Sequence, residues 1–383
     1  MSSIIRTPLR LAGSYWVTVI TLFFLLVLTF LGTLEQVEHG LFVTQQKYFN
    51  SLFLLHQFGD TPIVLPLPGV YLLLIVLGVN LLCGALIRLP RAWSHAGVWI
   101  SHLGILVLLA GGFVTYKSSV DGHLTFYENE TSDEFLSYND WEIAISEVGD
   151  SKARIIPGAS FSQLPPGKST TFQAADLPFT LTISEFAPNA TPSPAKDGAR
   201  SVDGMMLKQL DRDPEQERNV AGAYVTVRDT ASGAEHEGIL WGMARAPFEA
   251  HVGDKAWTIA LQKRRWKLPF NVRLDKFTRE LYPGTNTPKA FSSDVTVTEG
   301  ETVQKYLISM NKPLRYREYT LFQASWGPQN ARPNDPLYSS LAVVRNPADQ
   351  WPLYACIIIT VGLLFHFGLR LNSYLRQQRE RRT

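Results

Sequence analysis

The sequence predicts an integral membrane protein: four transmembrane α-helices, with one large all-β, sandwich-like domain between the third and the fourth. Three observations carry this. Four apolar runs, near Leu11–Leu31, Leu67–Ile87, Val98–Val114 and Leu353–Leu371, each reach the roughly 20 residues that a helix needs to cross a bilayer. After Lys117 the pattern changes to period-two alternation, the mark of strands with one buried face. Arginines cluster at one end of the runs, which gives the helices a common orientation. The averages of the 383-residue chain, a net charge of +2 and 45% hydrophobic residues, look ordinary for a soluble protein. Segregation of the apolar residues decides the class.

Taken in order, residues 1–116 are expected to form a membrane region with helices at about 11–32, 67–87 and 96–116. The first run has no small-residue cleavage site behind it and is expected to stay as an anchor. Gln36–Gln57 mixes aromatic and polar residues and suits an amphipathic segment at the outer interface. Phe42, Tyr48, Phe49, Phe53, Trp16 and Trp351 read as an interfacial belt. The short Arg88–Arg91 turn makes the second and third helices an antiparallel hairpin, and Asn80 is expected to help pack it. In the third helix Gly97, Gly104 and Gly111 recur every seven residues along one face, a stripe that lets another helix come close.

Residues 117–350 are expected to form the β domain, outside the cytoplasm. Val120–Tyr127, Trp141–Ser146, Phe179–Ser184, Ala223–Arg228, Trp257–Leu261, Phe270–Leu274, Asp294–Thr298 and Leu341–Arg345 read as strands of two packed sheets. Pro188–Glu217, rich in Pro, Ala, Asp and Lys, is expected to be a mobile surface excursion. The domain holds 26 Lys and Arg against 30 Asp and Glu, which argues against a polyanion partner and so against nucleic acid. Residues 351–383 supply the fourth helix and a basic tail suited to anionic lipid headgroups.

The positive-inside rule orients the chain. Arg6, Arg10, Arg88 and Arg91, with Arg370, Arg376, Arg379, Arg381 and Arg382, mark one side, whereas Glu35, Glu38 and Asp60 outnumber Lys47 on the other. Both termini are therefore expected in the cytoplasm, and a bacterial inner membrane fits best. Cys83 and Cys356 lie at opposite depths, read as buried apolar thiols, and form neither a disulfide framework nor a Cys-x-x-Cys pair.

Chemistry can reside in few places. His102 lies about seven residues inside the third helix and His366 about five from the inner end of the fourth, which suggests similar depth. An ionisable residue inside a membrane is a functional candidate because burying it unpartnered is costly, and neutral imidazole ligates haem iron. The plainer reading is a hydrogen bond across a helix pair, through groups such as Ser101 or Asn80. His95 sits at headgroup level, and His39, His56, His123, His236 and His251 read as solvated. No nucleophile elbow, P-loop, zinc spacing or dinucleotide fingerprint is present, so the chain has no catalytic motif of its own.

A set of unusual strings then suggests a family. These are Ser101-His-Leu-Gly-Ile, Leu268-Pro-Phe-Asn-Val-Arg-Leu-Asp-Lys-Phe, Tyr282-Pro-Gly and Pro288-Lys-Ala-Phe-Ser-Ser-Asp-Val. Met310-Asn-Lys-Pro-Leu, Tyr319-Thr-Leu-Phe-Gln-Ala-Ser-Trp and Arg345-Asn-Pro follow in order. The chain resembles the ResB-like (CcsB) cytochrome c biogenesis family of the system II haem-delivery apparatus. The resemblance implies a subunit of a membrane complex that carries haem b outward and presents it for covalent attachment to apocytochrome c, at most one part of a cytochrome c synthetase. It implies a tryptophan-rich ResC or CcsA-type membrane partner, apocytochrome c as client, and a separate thiol reductant. The family's third-helix histidine falls on His102 and is implied to ligate haem iron. His366 as a second ligand, and Arg88 and Arg91 as contacts for the propionates, come from depth and charge alone. Two readings compete: a membrane scaffold that binds no haem and docks a partner through the β domain, and a small-molecule transporter or receptor. Four helices with one or two histidines offer the latter little polar path.

Overall fold

Long apolar runs form helices because a helix satisfies every backbone polar group internally. In the structure, a computed structural model, four helices among the described residues are long and apolar enough to cross a membrane: Tyr15–Phe49, Val70–Arg88, Trp93–Ser118 and Trp351–Glu380. The structure describes all residues except Met1, Ser2, Asp60, Arg91, Ser151, Pro166, Asp197, Ala199, Asn286, Gln329, Asn330, 332–334 and Thr383, and side chains from Thr7 onward. Asp60, Arg91 and the Arg6 side chain therefore lie outside the described residues. The chain divides into two compact units, Met1–Ser119 with Asn346–Thr383, and Val120–Arg345.

The first unit holds helices α1 (Ser3–Ala12), α2 (Tyr15–Thr44), α3 (Val70–Cys83), α4 (Ala96–Ser118) and α5 (Trp351–Glu380), with a hairpin of strands β1 (Phe53–Gln57) and β2 (Val64–Pro68). Ser14 caps α2 by accepting from the Trp16 amide at 3.3 Å. The expected stop near Gly32 is passed. Helix continues to Thr44, broken only at Gly40 (φ 79°), and a π turn follows over Gln45–Phe49. Glu35, Lys47 and Tyr48 of this extension hydrogen-bond to one another, which helps hold it as helix. Asn80 is buried in α3, accepts from Thr18 Oγ1 at 2.7 Å and donates to the Ala12 and Ser14 carbonyls at 2.6 and 3.0 Å. It thus fastens the α1–α2 junction to α3, not α3 to α4. Cys83 is buried, whereas Cys356 is exposed on α5, and both are free thiols.

The glycine stripe of α4 faces α5. A Cβ added at Gly97 would lie 2.5 Å from both the Gly362 carbonyl oxygen and the His366 amide nitrogen. One at Gly104 would meet Ile359 Cγ1 at 2.6 Å, and one at Gly111 the Cβ of Trp351 at 3.0 Å. Ser101 occupies the same stripe and donates to the Gly97 and Ile359 carbonyls at 3.1 and 3.4 Å.

The second unit is all-β. Its strands are β3 (Val120–Tyr127), β4 (Thr131–Glu147), β5 (Arg154–Pro157), β6 (Ser169–Gln173), β7 (Phe179–Ala187), β8 (Ala190–Pro194), β9 (Met205–Gln209) and β10 (Gly222–Asp229). They continue as β11 (Glu235–Trp241), β12 (Phe248–Val252), β13 (Lys255–Leu281), β14 (Pro288–Glu299), β15 (Thr302–Ser309), β16 (Leu314–Tyr316), β17 (Tyr319–Gly327) and β18 (Tyr338–Arg345). A ten-stranded sheet runs β15-β14-β13-β4-β3-β18-β17-β16, with β12 and β5 alongside β13 and β4, and a four-stranded sheet runs β11-β10-β7-β6. The strand pairings among the described residues are antiparallel, for example Ile259 opposite Ile145 and Val272 opposite Val297. The expected excursion at 188–217 contains the β8–β9 hairpin.

One sandwich core was expected, and two are present. In the first, Phe179, Leu181, Val225 and Val227 of the small sheet pack on Ile143, Ile145 and Ile259 of the large one. In the second, the large sheet folds back on itself and encloses Leu124, Phe135, Val272, Val295, Leu321 and Val343. The cause is strand length. At about 3.3 Å per residue, β13 is too long for one partner sheet, and two of the expected strands, Trp257–Leu261 and Phe270–Leu274, are its two ends.

Between the cores the β4–β13 ladder slips, from Lys263 opposite Trp141 to Arg265 opposite Leu136. The extra residues form a bulge that gathers ionisable groups. Lys263 Nζ donates to the Tyr138 carbonyl at 2.6 Å and lies 4.3 Å from the Trp141 ring centre. His123 stacks on Tyr138 at 5.2 Å, and its buried Nδ1 has no partner among the described residues. Burial holds the Lys263 ammonium down at about 8, against the opposing pull of Asp140 and Glu217. Burial also lowers His123, with Lys263 adding to the effect, and raises Asp121, with Asp140 adding.

Two outcomes follow from this packing. Gly97→Ala should lower the stability of the purified chain by about 1–3 kcal/mol, the usual cost of overpacking, whereas Gly112→Ala, with open space around it, should be neutral in the same thermal unfolding series in detergent. For Lys263 the unfolded chain, with the ordinary value of 10.5, holds a proton that the folded chain has released above about 8. Stability should therefore rise with pH across that window. Lys263→Met should flatten the rise in the melting temperature measured from pH 7 to pH 10.

Candidate functional site

His102 sits one residue past the glycine stripe, so α4 turns it about 100° away from the line of closest contact with α5. It is half-buried. Its Nδ1 lies 2.8 Å from the Val98 carbonyl oxygen, four residues back in the same helix. A carbonyl only accepts, so Nδ1 carries the hydrogen, and whenever the ring is neutral its lone pair lies at Nε2. Cross-helix hydrogen bonding falls to Ser101 instead, which leaves His102 Nε2 uncommitted among the described residues. Orienting one ring nitrogen through a carbonyl is how proteins prepare the other to bind a metal.

Trp99 lies three residues before His102 and is its neighbour on the helix surface. It lines a groove of about 570 Å³ together with Ala92, Trp93, Ala96, Ile100 and Phe365. Trp93 meets Phe365 edge to face at 5.7 Å. Among the described residues, no charged side chain lines this groove. His102 is not among the groove's lining residues and adjoins it only through Trp99; an imidazole and an aromatic bed on one stretch of helix are the kinds of group that fit a flat apolar metallomacrocycle such as haem.

His366 lies one residue from Phe365. Its backbone packs on Gly97, five residues before His102, which is a step of about 7–8 Å along the helix. The two histidines are therefore offset in depth by more than a turn. No hydrogen bond or ring contact joins them among the described residues. His366 Nδ1 is buried without a partner among the described residues. Arg88 is exposed, donates to the Arg10 carbonyl at 2.9 Å and lies 5.9 Å from the Tyr15 ring centre. His95 is half-buried with Nδ1 3.1 Å from Ser94 Oγ.

A second imidazole was misread from the sequence. His56 is only 8% exposed and Tyr48 is fully buried, so neither belongs to a solvated loop or an interfacial belt. Tyr48 Oη lies 2.5 Å from both Glu35 Oε2 and His56 Nδ1, and Lys47 Nζ donates to Glu35 Oε1 at 2.6 Å. The tyrosine hydrogen can serve only one neighbour. If it goes to the carboxylate, His56 donates through Nδ1 and the four groups form a directed chain that fastens β1 to α2. Tyr48 lies 13 residues from Glu35 and 8 from His56, a spacing with no local period, and only the π turn and the hairpin bring them together.

Comparison with known proteins adds an independent observation. The model of the ResB-like family matches residues 248–335. Protein NrfI of Wolinella succinogenes is 23% identical over 300 residues, which is 77% of this chain and 29% of the relative. The chain thus spans less than a third of that relative's length. The family match falls on the long strand β13 and runs through β17, and it includes the strings from Leu268 to Phe277 and from Tyr319 to Trp326 that suggested the same family. Residues 248–335, less than a quarter of the chain, are thus similar to the ResB-like family.

Proposed function

We propose that the protein acts in cytochrome c biogenesis, as a subunit of a bacterial inner-membrane complex that carries haem b outward and presents it to apocytochrome c. The ResB-like match and the NrfI relationship support the biogenesis role. One observation supports the haem-binding part: His102 Nδ1 is held by the Val98 carbonyl, which leaves Nε2 for a metal.

In this reading His102 Nε2 holds the haem iron, and bound haem supplies the vinyl groups to be attached to the client's thiols. Trp93, Trp99 and Phe365 keep water from the macrocycle. His366 is a second candidate ligand, although its offset from His102 favours an opposing ligand from a tryptophan-rich partner of the ResC or CcsA type. Arg88 and Arg91 are the nearest cations in sequence for the propionates, and Arg88 would first have to release the Arg10 carbonyl. The chain has no Cys-x-x-Cys, so a separate protein must keep the apocytochrome thiols reduced. The arginine distribution supports a topology with both termini in the cytoplasm and the β unit outside.

The test is haem content. Pyridine-haemochrome spectra of the purified chain, alone and with its partner, should show haem, and His102→Ala should remove most of it while His95→Ala does not. Undiminished haem in His102→Ala, with normal maturation of cytochromes c, would overturn the ligand role and favour a scaffold that binds no haem.

A further inference from the structure

A cleft of about 600 Å³ in the β unit is lined by Lys267, Leu268, Pro269, Arg317, Glu318, Tyr319 and Arg345. It lies where β13 loses register with β4 between Lys267 and Val272, against the β16–β17 turn and the last residue of β18. All but Arg345 fall inside the ResB-like match, yet nothing used above for haem or membrane insertion involves it.

Its chemistry is divided. Leu268 and Tyr319 are buried and form an apolar floor with Pro269. Around them stand three cations and one carboxylate. Arg345 donates Nε and Nη2 to Glu318 at 3.0 and 2.9 Å, and Arg317 donates Nε to Glu299 at 3.0 Å and places Nη2 against the same carboxylate. Each guanidinium is thereby fixed in direction, and each keeps Nη1 without a partner among the described residues. The carboxylate nearest Lys267 Nζ is 3.9 Å away, on Glu134.

The turn itself is unusual. Tyr316 pairs with Tyr319, so Arg317-Glu318 is a two-residue hairpin turn. Arg317 has φ 54°, a left-handed conformation that such turns normally assign to Gly or Asn. A long cation is held there against backbone preference, and the strain makes sense if the side chain has work to do at the cleft.

We propose that this cleft binds an amphipathic anion: carboxylate or phosphate groups on an apolar body. A bare anion would meet Glu318 and leave the apolar floor wet, whereas a neutral apolar ligand would desolvate guanidinium nitrogens without compensation. A porphyrin dicarboxylate and an anionic phospholipid share the required chemistry.

The test titrates the purified full-length chain in neutral detergent with metal-free protoporphyrin, short-chain phosphatidylglycerol and inorganic phosphate. Metal-free porphyrin needs no axial ligand, so His102→Ala should leave its binding unchanged, which separates this site from the haem-ligand reading. Saturable binding of either amphipath is expected, weakened roughly tenfold or more in Arg317→Gln/Arg345→Gln, as loss of charge-assisted hydrogen bonds implies. Whichever amphipath binds identifies carboxylate or phosphate as the natural group. Lys267→Gln, at an exposed side chain, should weaken binding severalfold and serves if the double variant does not fold by circular dichroism. Absence of binding by both amphipaths, binding untouched by these substitutions, or tighter binding of inorganic phosphate than of either amphipath would overturn the proposal.

Discussion

The contact between α4 and α5 is the constraint on which the membrane unit depends. Lipid offers no hydrophobic gain for pairing two apolar helices, so close approach must come from small residues and shared hydrogen bonds. Gly97, Gly104 and Gly111 remove the side chains that would hold the helices apart, and Ser101 spans the gap to the Ile359 carbonyl. This packing decides the fate of the histidines. His366 is trapped against Gly97, while His102, one residue off the stripe, is turned outward with its Nε2 free. The same geometry that forbids a Cβ on one face therefore creates an accessible imidazole on the next.

Two groups of polar side chains in the membrane unit form closed sets, whereas Thr44 Oγ1 and His366 Nδ1 are buried with no partner among the described residues. Asn80 satisfies three neighbours at the α1–α2 junction, and Glu35, Lys47, Tyr48 and His56 satisfy one another at the far end of α2. An unpaired buried charge would be severely destabilising, but a completed network fixes a unique arrangement. His102 belongs to neither set, with Nδ1 bonded within its own helix. In the β unit the bulge at Ser137–Asp140 has the opposite character, with a buried ammonium held by one carbonyl and an aromatic face.

The legible part of the fold was whatever a local period encodes. Apolar runs gave the four helices, alternation gave the strands around Val225, Val295 and Val343, and the heptad spacing of Gly97, Gly104 and Gly111 announced a close helix neighbour. Which neighbour it was, α5 across more than 230 residues of sequence, has no local signature. Length was misjudged where two readable strands turned out to be ends of β13, because the bulge at Lys267–Val272 with Pro269 looked like a break between elements. His56 and Tyr48 were misjudged for a different reason: burial came from a hairpin whose strands are only five residues each. At the candidate site, His102 and its helix were readable, whereas the Val98 bond and the aromatic groove with Phe365 needed tertiary structure. The ionisable cluster at Lys263 was unreadable, since it depends on a register slip.

The strands that open and close the β unit are partners. Val120, two residues beyond α4, is paired with Arg345, six residues before α5, and α4 and α5 are themselves packed together. The unit is thus an insertion of 226 residues whose ends meet. Bringing the ends of a free chain of that length together costs about 5 kcal/mol of closure entropy by the logarithmic law. Whichever unit folds first removes that cost for the other. The membrane helices and the β unit are consequently coupled in stability through chain connectivity alone, and a lesion in either weakens both.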